Sequence, residues 1–202
     1  MVTDLITLME GAALSKFVGP AAEQLGKAAW ERAQQLGTKA QQLLAAVGRQ
    51  PQAVEPKVLF PLVQAASLEA EESLVDIWAA LLANTADPAQ RVRVQTGFIE
   101  VLRQLTPEDA QVLRFIYAHL SADTSEQSGE PDSPLTVEDV LTHFSWPDGK
   151  VELSLDNLLR CRLFEVLAGG TYGPSPALHP NMPTAFTTYG QQFLTACTPP
   201  TA

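Results

Sequence analysis

The chain has 202 residues, 46% of them hydrophobic, which is enough to bury a core in one large domain or two small ones. The chain has only two cysteines, and an acidic residue stands near its start, where a secretory signal would carry Lys or Arg. These two features predict a cytoplasmic protein without disulfides. Residues 107–202 contain 4 Lys/Arg and 12 Asp/Glu, a balance of −8 within a total of −10. Such an acidic half argues against nucleic acid as a partner, because it repels phosphate groups.

Residues 1–50 are predicted to form amphipathic helices, a short one that ends at Gly19-Pro20 and a longer one over residues 21–47. The longer helix has an apolar seam that steps by three and four residues: Leu25, Ala29, Ala33, Leu36, Ala40, Leu43 and Val47. We expect this seam to pack on its own domain or on a second copy, as a homo-oligomer. Peripheral membrane contact is less favoured, because the polar face is not the basic face of lipid-binding helices.

Residues 51–120 are predicted to form a helical core module. Pro56 and Pro61 frame its first short helix, and Ser67 is the expected N-cap of the next helix. That second helix is predicted to end at Asp87-Pro88, because proline disfavours a helical conformation in the residue before it.

The remaining residues predict a winged-helix order. The run Thr106-Pro107-Glu108-Asp109 combines a capping hydroxyl, a proline and acids, which together favour a helix start. Residues 121–134 have no apolar periodicity and are predicted to form a mobile acidic loop. Residues 135–202 then read as two helices, two short strands and a last helix. The predicted fold class is therefore mainly α, a multi-helix bundle with a small winged-helix-like part and a short two-stranded wing.

No group of residues has the composition and spacing of a catalytic or metal site. The three histidines are scattered, and Cys161 has neighbouring arginines but no evident base, so buried packing is its expected role. The acids Glu69, Glu71, Glu72 and Asp76 share helical spacing, but a solvated helix start is the stronger interpretation. We therefore predict no catalytic residue, no metal and no cofactor, and expect that the protein is not an enzyme.

One basic cluster stands out as a possible contact for a partner. It consists of Arg91, Arg93 and Arg103, in and just after a loop between predicted helices. These side chains could bind an acidic partner protein or the acidic carboxyl-terminal half of the same chain. Intramolecular pairing is the simpler interpretation, and the identity of a protein partner is left open.

Three segments carry a resemblance to a known family. They are Pro56-Lys57-Val58-Leu59, then Trp78-Ala79-Ala80-Leu81-Leu82-Ala83-Asn84 with Asp87-Pro88, and Phe98-Ile99-Glu100-Val101-Leu102 leading to Gln104-Leu105-Thr106-Pro107-Glu108-Asp109-Ala110. Over about residues 55–197 the chain resembles the Abi-alpha (abortive infection alpha) family of bacterial proteins. It departs from that family at Gln95-Thr96-Gly97 and at Cys161-Arg162-Leu163, where a His-Pro-Ser-like turn and Leu-Gly-Leu are expected. The resemblance implies a role in defence against phage and supplies no catalytic residues.

Three functions follow as hypotheses. The first is a non-enzymatic interaction protein in abortive infection that acts by protein–protein binding. The second is a winged-helix DNA-binding transcriptional regulator, with residues 148–162 as its recognition helix. The third is a membrane-acting effector that uses residues 2–47.

Overall fold

The computed structural model describes residues 14–90, 92–122, 135–144, 146–147, 149–166 and 183–201, without the side chains of residues 14–28, 120–122 and 166. This part of the chain is mostly helical, with one small antiparallel sheet near its carboxyl end, so the predicted fold class is confirmed. The helices are α1 (Leu14–Ala46), α2 (Pro56–Ala66), α3 (Glu72–Ala86), α4 (Thr96–Leu102), α5 (Pro107–Ala122), α6 (Val137–His143), α7 (Lys150–Arg160) and α8 (Thr188–Cys197). The strands are β1 (Phe164–Val166) and β2 (Thr184–Phe186), with Phe164 opposite Phe186.

The chain divides into two compact units. The first unit comprises Met1–Gln104 together with Gln192–Ala202, and the second comprises Leu105–Gln191. Residues 192–202 therefore belong to the same unit as the amino-terminal helices. On sequence alone they are predicted to lie in the winged-helix-like part, residues 135–202. Of the predicted acidic loop, residues 123–134 lie outside the described residues, and its first two residues are the end of α5.

Helix α3 is the centre of the first unit. Eleven of its 15 residues are buried, from Leu74 to Ala86, because its sequence is apolar on nearly every side. Helices α1 and α2 both pack against α3. The seam of α1 supplies Ala29, Ala33, Leu36 and Ala40 as predicted, with Leu44 rather than Leu43 as the next buried residue. A homo-oligomer through residues 21–47 stays a prediction.

Two local predictions in this unit are wrong. Helix α1 continues through Gly19-Pro20, where proline removes a single hydrogen bond near the beginning of a long helix. The short helix predicted around Pro61 does form, as α2, with Pro61 inside it. Ser67 is the C-cap of α2, since its hydroxyl donates to the carbonyl of Gln64 at 2.9 Å. The acids that follow belong partly to the connection, and α3 begins at Glu72.

The second unit has the order of a winged helix. Capping boxes begin α5 and α6, where the backbone N–H groups of Thr106 and Thr136 each donate to the carboxylate three residues later, both at 2.8 Å. Thr136 also forms an antiparallel bridge with Pro183, and the N–H of Thr184 donates to the carbonyl of Leu135 at 2.7 Å. The residue before α6 therefore adds a third, minimal strand beside β2, which the sequence did not reveal.

A tight turn connects α7 to β1, and residues at the start of α8 form hydrogen bonds and close contacts with it. Arg162 has a φ of 57°, the left-handed conformation that favours glycine. The hydroxyl of Thr187 donates to the carbonyl of Arg162 at 2.6 Å and accepts from the N–H of Gly190 at 2.9 Å. Gly190 approaches so closely that a Cβ there would overlap with the carbonyl of Leu163. This turn is one of the two places where the sequence departs from the family it resembles.

We expect Arg162→Gly to stabilise the protein by about 0.5–1 kcal/mol, because glycine adopts a positive φ without the steric cost that a Cβ imposes. Urea unfolding of the purified protein measures this change. Arg162→Ala is the matched control, since it removes the same charge and keeps the Cβ. Equal stability of the glycine and alanine variants would contradict the conformational explanation.

Candidate functional site

Two of the three predicted arginines lie in the described part of the chain, and each is near a different glutamate. Arg93 is 87% exposed and lies 3.9 Å from the carboxylate of Glu55. Arg103 pairs with Glu100 on the preceding turn at 3.3 Å. Arg91 lies outside the described residues. Both of these acidic partners are in the first unit and not in the acidic carboxyl-terminal half. A role of the three arginines in binding a partner stays a prediction.

A polar centre occupies the end of the buried helix α3. The side chain of Asn84, 2% exposed, donates its Nδ2–H groups to the carbonyls of Ala196 at 2.8 Å and Thr198 at 2.6 Å, with a longer contact to Thr195 at 3.4 Å. These carbonyls lie at the end of α8, where a helix leaves its last carbonyls without intrahelical donors. Asn84 therefore caps another helix from inside the core.

Asp87, which follows α3, makes further polar contacts, and through Arg49 these reach the carboxyl-terminal residues. Its carboxylate, 1% exposed, accepts from Arg49 at 2.7 Å and from the N–H of Ala89 at 2.9 Å. The same arginine donates to the carbonyl of Thr201 at 2.8 Å. The buried charge of Asp87 is therefore paired and hydrogen-bonded, as a buried carboxylate must be.

A pocket of about 260 Å³ opens beside the polar centre within the first unit. Its walls come from residues 52–55, the end of α3, Gln90 and residues 92–94, with Asn84, Glu55 and Arg93 among the lining residues. The N–H of Gln52 donates to the carbonyl of Ala86 at 2.8 Å, which ties the first wall to α3. Sequence analysis missed this pocket, because its walls meet only in the folded chain.

The second candidate surface is the outer side of α7 in the winged-helix-like unit. Leu153 is 70% exposed there, between the exposed acids Glu152 and Asp156. Lys150 turns its ammonium to the carboxylate of Glu108 at 2.6 Å, and Arg160 donates to the side-chain oxygen of Asn157 at 2.6 Å. The helix therefore presents carboxylates and a leucine, while its cations are engaged within the unit.

The two cysteines lack the environment of a nucleophile. Burial raises the pKa of the Cys161 thiol despite the opposing charge of Arg160. Burial also raises the pKa of Cys197, which lies in the core. A thiol with a raised pKa has little thiolate at neutral pH, so the structure supports packing as the role of both residues.

Among the acids and histidines considered as metal ligands, Glu72, Asp76 and His143 contact other groups. Arg32 and Lys39 reach Glu72 and lower the pKa of its carboxyl, and Lys39 also pairs with Asp76 at 2.8 Å. The ring of His143 stacks on Phe115 at a centroid distance of 3.9 Å. Among the described residues, no three His, Cys, Asp or Glu side chains gather as a metal site would require. A bilayer-crossing helix is likewise not found in this part of the chain.

We expect Asn84→Asp to destabilise the protein by about 2–4 kcal/mol, because a buried carboxylate would face carbonyl oxygens in place of an N–H donor. Urea unfolding and carboxypeptidase digestion of the chain end would both report the change. Thr85→Ser is the matched control, since serine keeps the hydroxyl that donates to the carbonyl of Leu81 at 2.6 Å. An Asn84→Asp variant as stable as this control would contradict the capping role.

The ion pair at the start of α7 predicts a pH dependence. Lys150 lowers the pKa of the Glu108 carboxyl, so the pair stabilises the fold above the ordinary glutamate pKa and is lost as the pH falls through the lowered value. The part-exposed pair contributes only about 0.5 kcal/mol or less. Glu108→Gln should therefore be less stable than the natural protein at pH 7 in urea, and the difference should shrink as the pH falls below the ordinary glutamate pKa. Glu165→Gln, at an exposed strand position, is the control, and a Glu108→Gln deficit that does not change with pH would contradict the assignment.

Comparison with known proteins supplies one match. No curated protein matches the chain, and no solved structure does. The family model described as "Abortive infection alpha" matches residues 31–179 of the 202-residue chain. The match begins within α1 and takes in α2 to α7 and β1, so it spans most of both units. Because more than half of the sequence is covered, the chain belongs to the Abi-alpha family.

Proposed function

We propose that this member of the Abi-alpha family acts in abortive infection as a non-enzymatic binding protein, and that it holds a protein partner on the outer side of α7. The supporting observation is the exposed leucine of α7 between two exposed carboxylates. The family assignment supports the link to infection. The engaged acids and high-pKa thiols described above support a binding role over a catalytic one.

The charges on α7 favour a protein over a nucleic acid. A phosphate backbone is held by lysine and arginine side chains, each of which neutralises one phosphate. Lys150 is paired with Glu108 at 2.6 Å, and the surface beside Leu153 carries Glu152 and Asp156. The helix would therefore bring negative charge towards a DNA groove. A basic protein surface is the partner that this charge complements.

The partner should also provide an apolar pocket. Leu153 exposes 70% of its surface on a rigid helix, so a partner can bury it without first ordering a loop. Energy in protein interfaces is concentrated in a few central side chains surrounded by a polar rim. We expect Leu153 to be such a central contact, with the two acids setting orientation and association rate.

DNA binding is the second candidate, because the helix–bridge–helix–helix–wing order of the second unit is the order used by winged-helix DNA-binding proteins. The balance of −8 over residues 107–202 opposes it. Retardation of duplex DNA at low salt, lost with Arg160→Glu, would favour this alternative over protein binding.

We expect Leu153→Asp to weaken partner binding by about 30-fold, the loss typical of a central interface residue, and to reduce protection against phage accordingly. The readouts are recovery of a defined partner from infected cells and the plating efficiency of phage. Leu68→Asp is the matched control, because Leu68 is 68% exposed but lies in the first unit.

The proposal requires that one partner be kept by Leu68→Asp, lost by Leu153→Asp and released at high salt. Full protection by a folded Leu153→Asp variant would overturn the assigned surface. Hydrolase, nuclease or transferase turnover that survives stringent purification would overturn the non-enzymatic role.

A further inference from the structure

We infer that the outer side of α7 binds a second copy of this chain, at a basic aromatic surface formed by α5 and the wing. This inference rests on the proposed function, because it names the partner of the same side of α7. The second surface, the α5–wing surface, consists of Arg114, Tyr117 and Phe186. Both surfaces belong to the second unit.

The α5–wing surface presents aromatic rings to solvent. Tyr117 is 38% exposed, and its ring meets that of the half-buried Phe186 edge-on, with 6.2 Å between the centroids. The register of the wing places Glu165 opposite Ala185, one residue before Phe186. Because neighbouring strand residues point to opposite faces of a sheet, the acid of β1 points away from these rings.

Arg114 makes this surface basic. It lies three residues before Tyr117 on α5, and residues at that spacing are neighbours on a helix. Its side chain is exposed and has no hydrogen bond or ion pair with any described residue, whereas Lys150 and Arg160 of α7 are engaged within the unit. The guanidinium of Arg114 is therefore available to a carboxylate from another molecule, which it can bind through two N–H groups.

The two surfaces complement each other in charge and in apolar character. The outer side of α7 carries Leu153, 70% exposed, between the carboxylates of Glu152 and Asp156. In the assembly Leu153 packs on the aromatic rings, and a neighbouring carboxylate pairs with Arg114, which sets the orientation. Because Leu153 and Tyr117 are both exposed within one copy, they do not cover each other, and the contact needs a second copy.

The contact is heterologous, because the two surfaces that meet are different. After two copies pair, one of them keeps a free outer side of α7 and the other keeps a free α5–wing surface. Further copies can therefore add until the assembly closes as a ring. Both surfaces are small and charged, so the assembly is transient and dissociates when salt screens the charges.

The test is sedimentation equilibrium of the purified full-length protein. At low salt its average mass should rise above that of the monomer as the concentration increases, and it should fall back at about 0.5 M salt, where charges are screened within a few ångströms. Arg114→Glu and Leu153→Asp should each weaken the association by about tenfold or more. Arg93→Glu and Leu68→Asp are the matched controls, because they change an exposed arginine and an exposed leucine of the first unit.

A mixture of the two variants distinguishes a heterologous contact from a symmetric one. Arg114→Glu keeps an intact outer side of α7, and Leu153→Asp keeps an intact α5–wing surface. An equimolar mixture should therefore form a dimer and nothing larger, although each variant alone is monomeric. If either variant is unfolded by circular dichroism, Arg114→Gln and Asp156→Gln replace the two variants in the same experiment.

A protein that stays monomeric at low salt would overturn the inference. So would association that survives Arg114→Glu or Leu153→Asp, or a mixture that forms no dimer. A monomeric protein that still recovers another partner through Leu153 would overturn this inference alone and leave the proposed function standing. Loss of self-association in Leu153→Asp together with full protection against phage would support the inference and refute the proposed function.

Discussion

The side chain of Asn84 connects the two chain segments of the first unit, the amino-terminal helices and the carboxyl-terminal residues. Its amide donates to carbonyls at the end of α8, while its backbone belongs to the buried helix α3. A polar side chain in such a core is costly unless it is hydrogen-bonded, and here the bonds are made with residues more than 100 positions away. These bonds hold the carboxyl-terminal segment together with Arg49, which pairs with Asp87 and also donates to the carbonyl of Thr201.

The same residue also lines the pocket at the end of α3. Its Nδ2 edge caps α8, while its buried oxygen accepts no hydrogen bond from any described residue. The residue thus belongs both to the core and to the pocket wall. In the second unit the division of roles is different. There Val151, Leu155 and Leu158 of α7 pack inward, while its outer side carries Leu153 between two acids.

Predictions from sequence succeeded where the signal was local. The capping residue Thr106 begins a helix as its sequence context indicates, because a capping box needs only groups within one turn. The paired strands near the carboxyl end were also anticipated. Serine is a favoured N-cap residue, yet Ser67 ends α2, because its hydroxyl donates to the carbonyl of Gln64, three residues earlier. Local propensity could not distinguish these two directions.

The sequence by itself determined a helical protein with a winged-helix order and membership of the Abi-alpha family, since helix periodicity, capping groups and motif segments are all written in neighbouring residues. Only the tertiary structure decided which polar groups meet. The contact between Asn84 and the chain end, the Thr136–Pro183 bridge and the pocket beside Arg93 each join residues from distant parts of the chain. Their pairing depends on how helices pack around α3 and on how the wing returns to α6, and no local pattern encodes that arrangement.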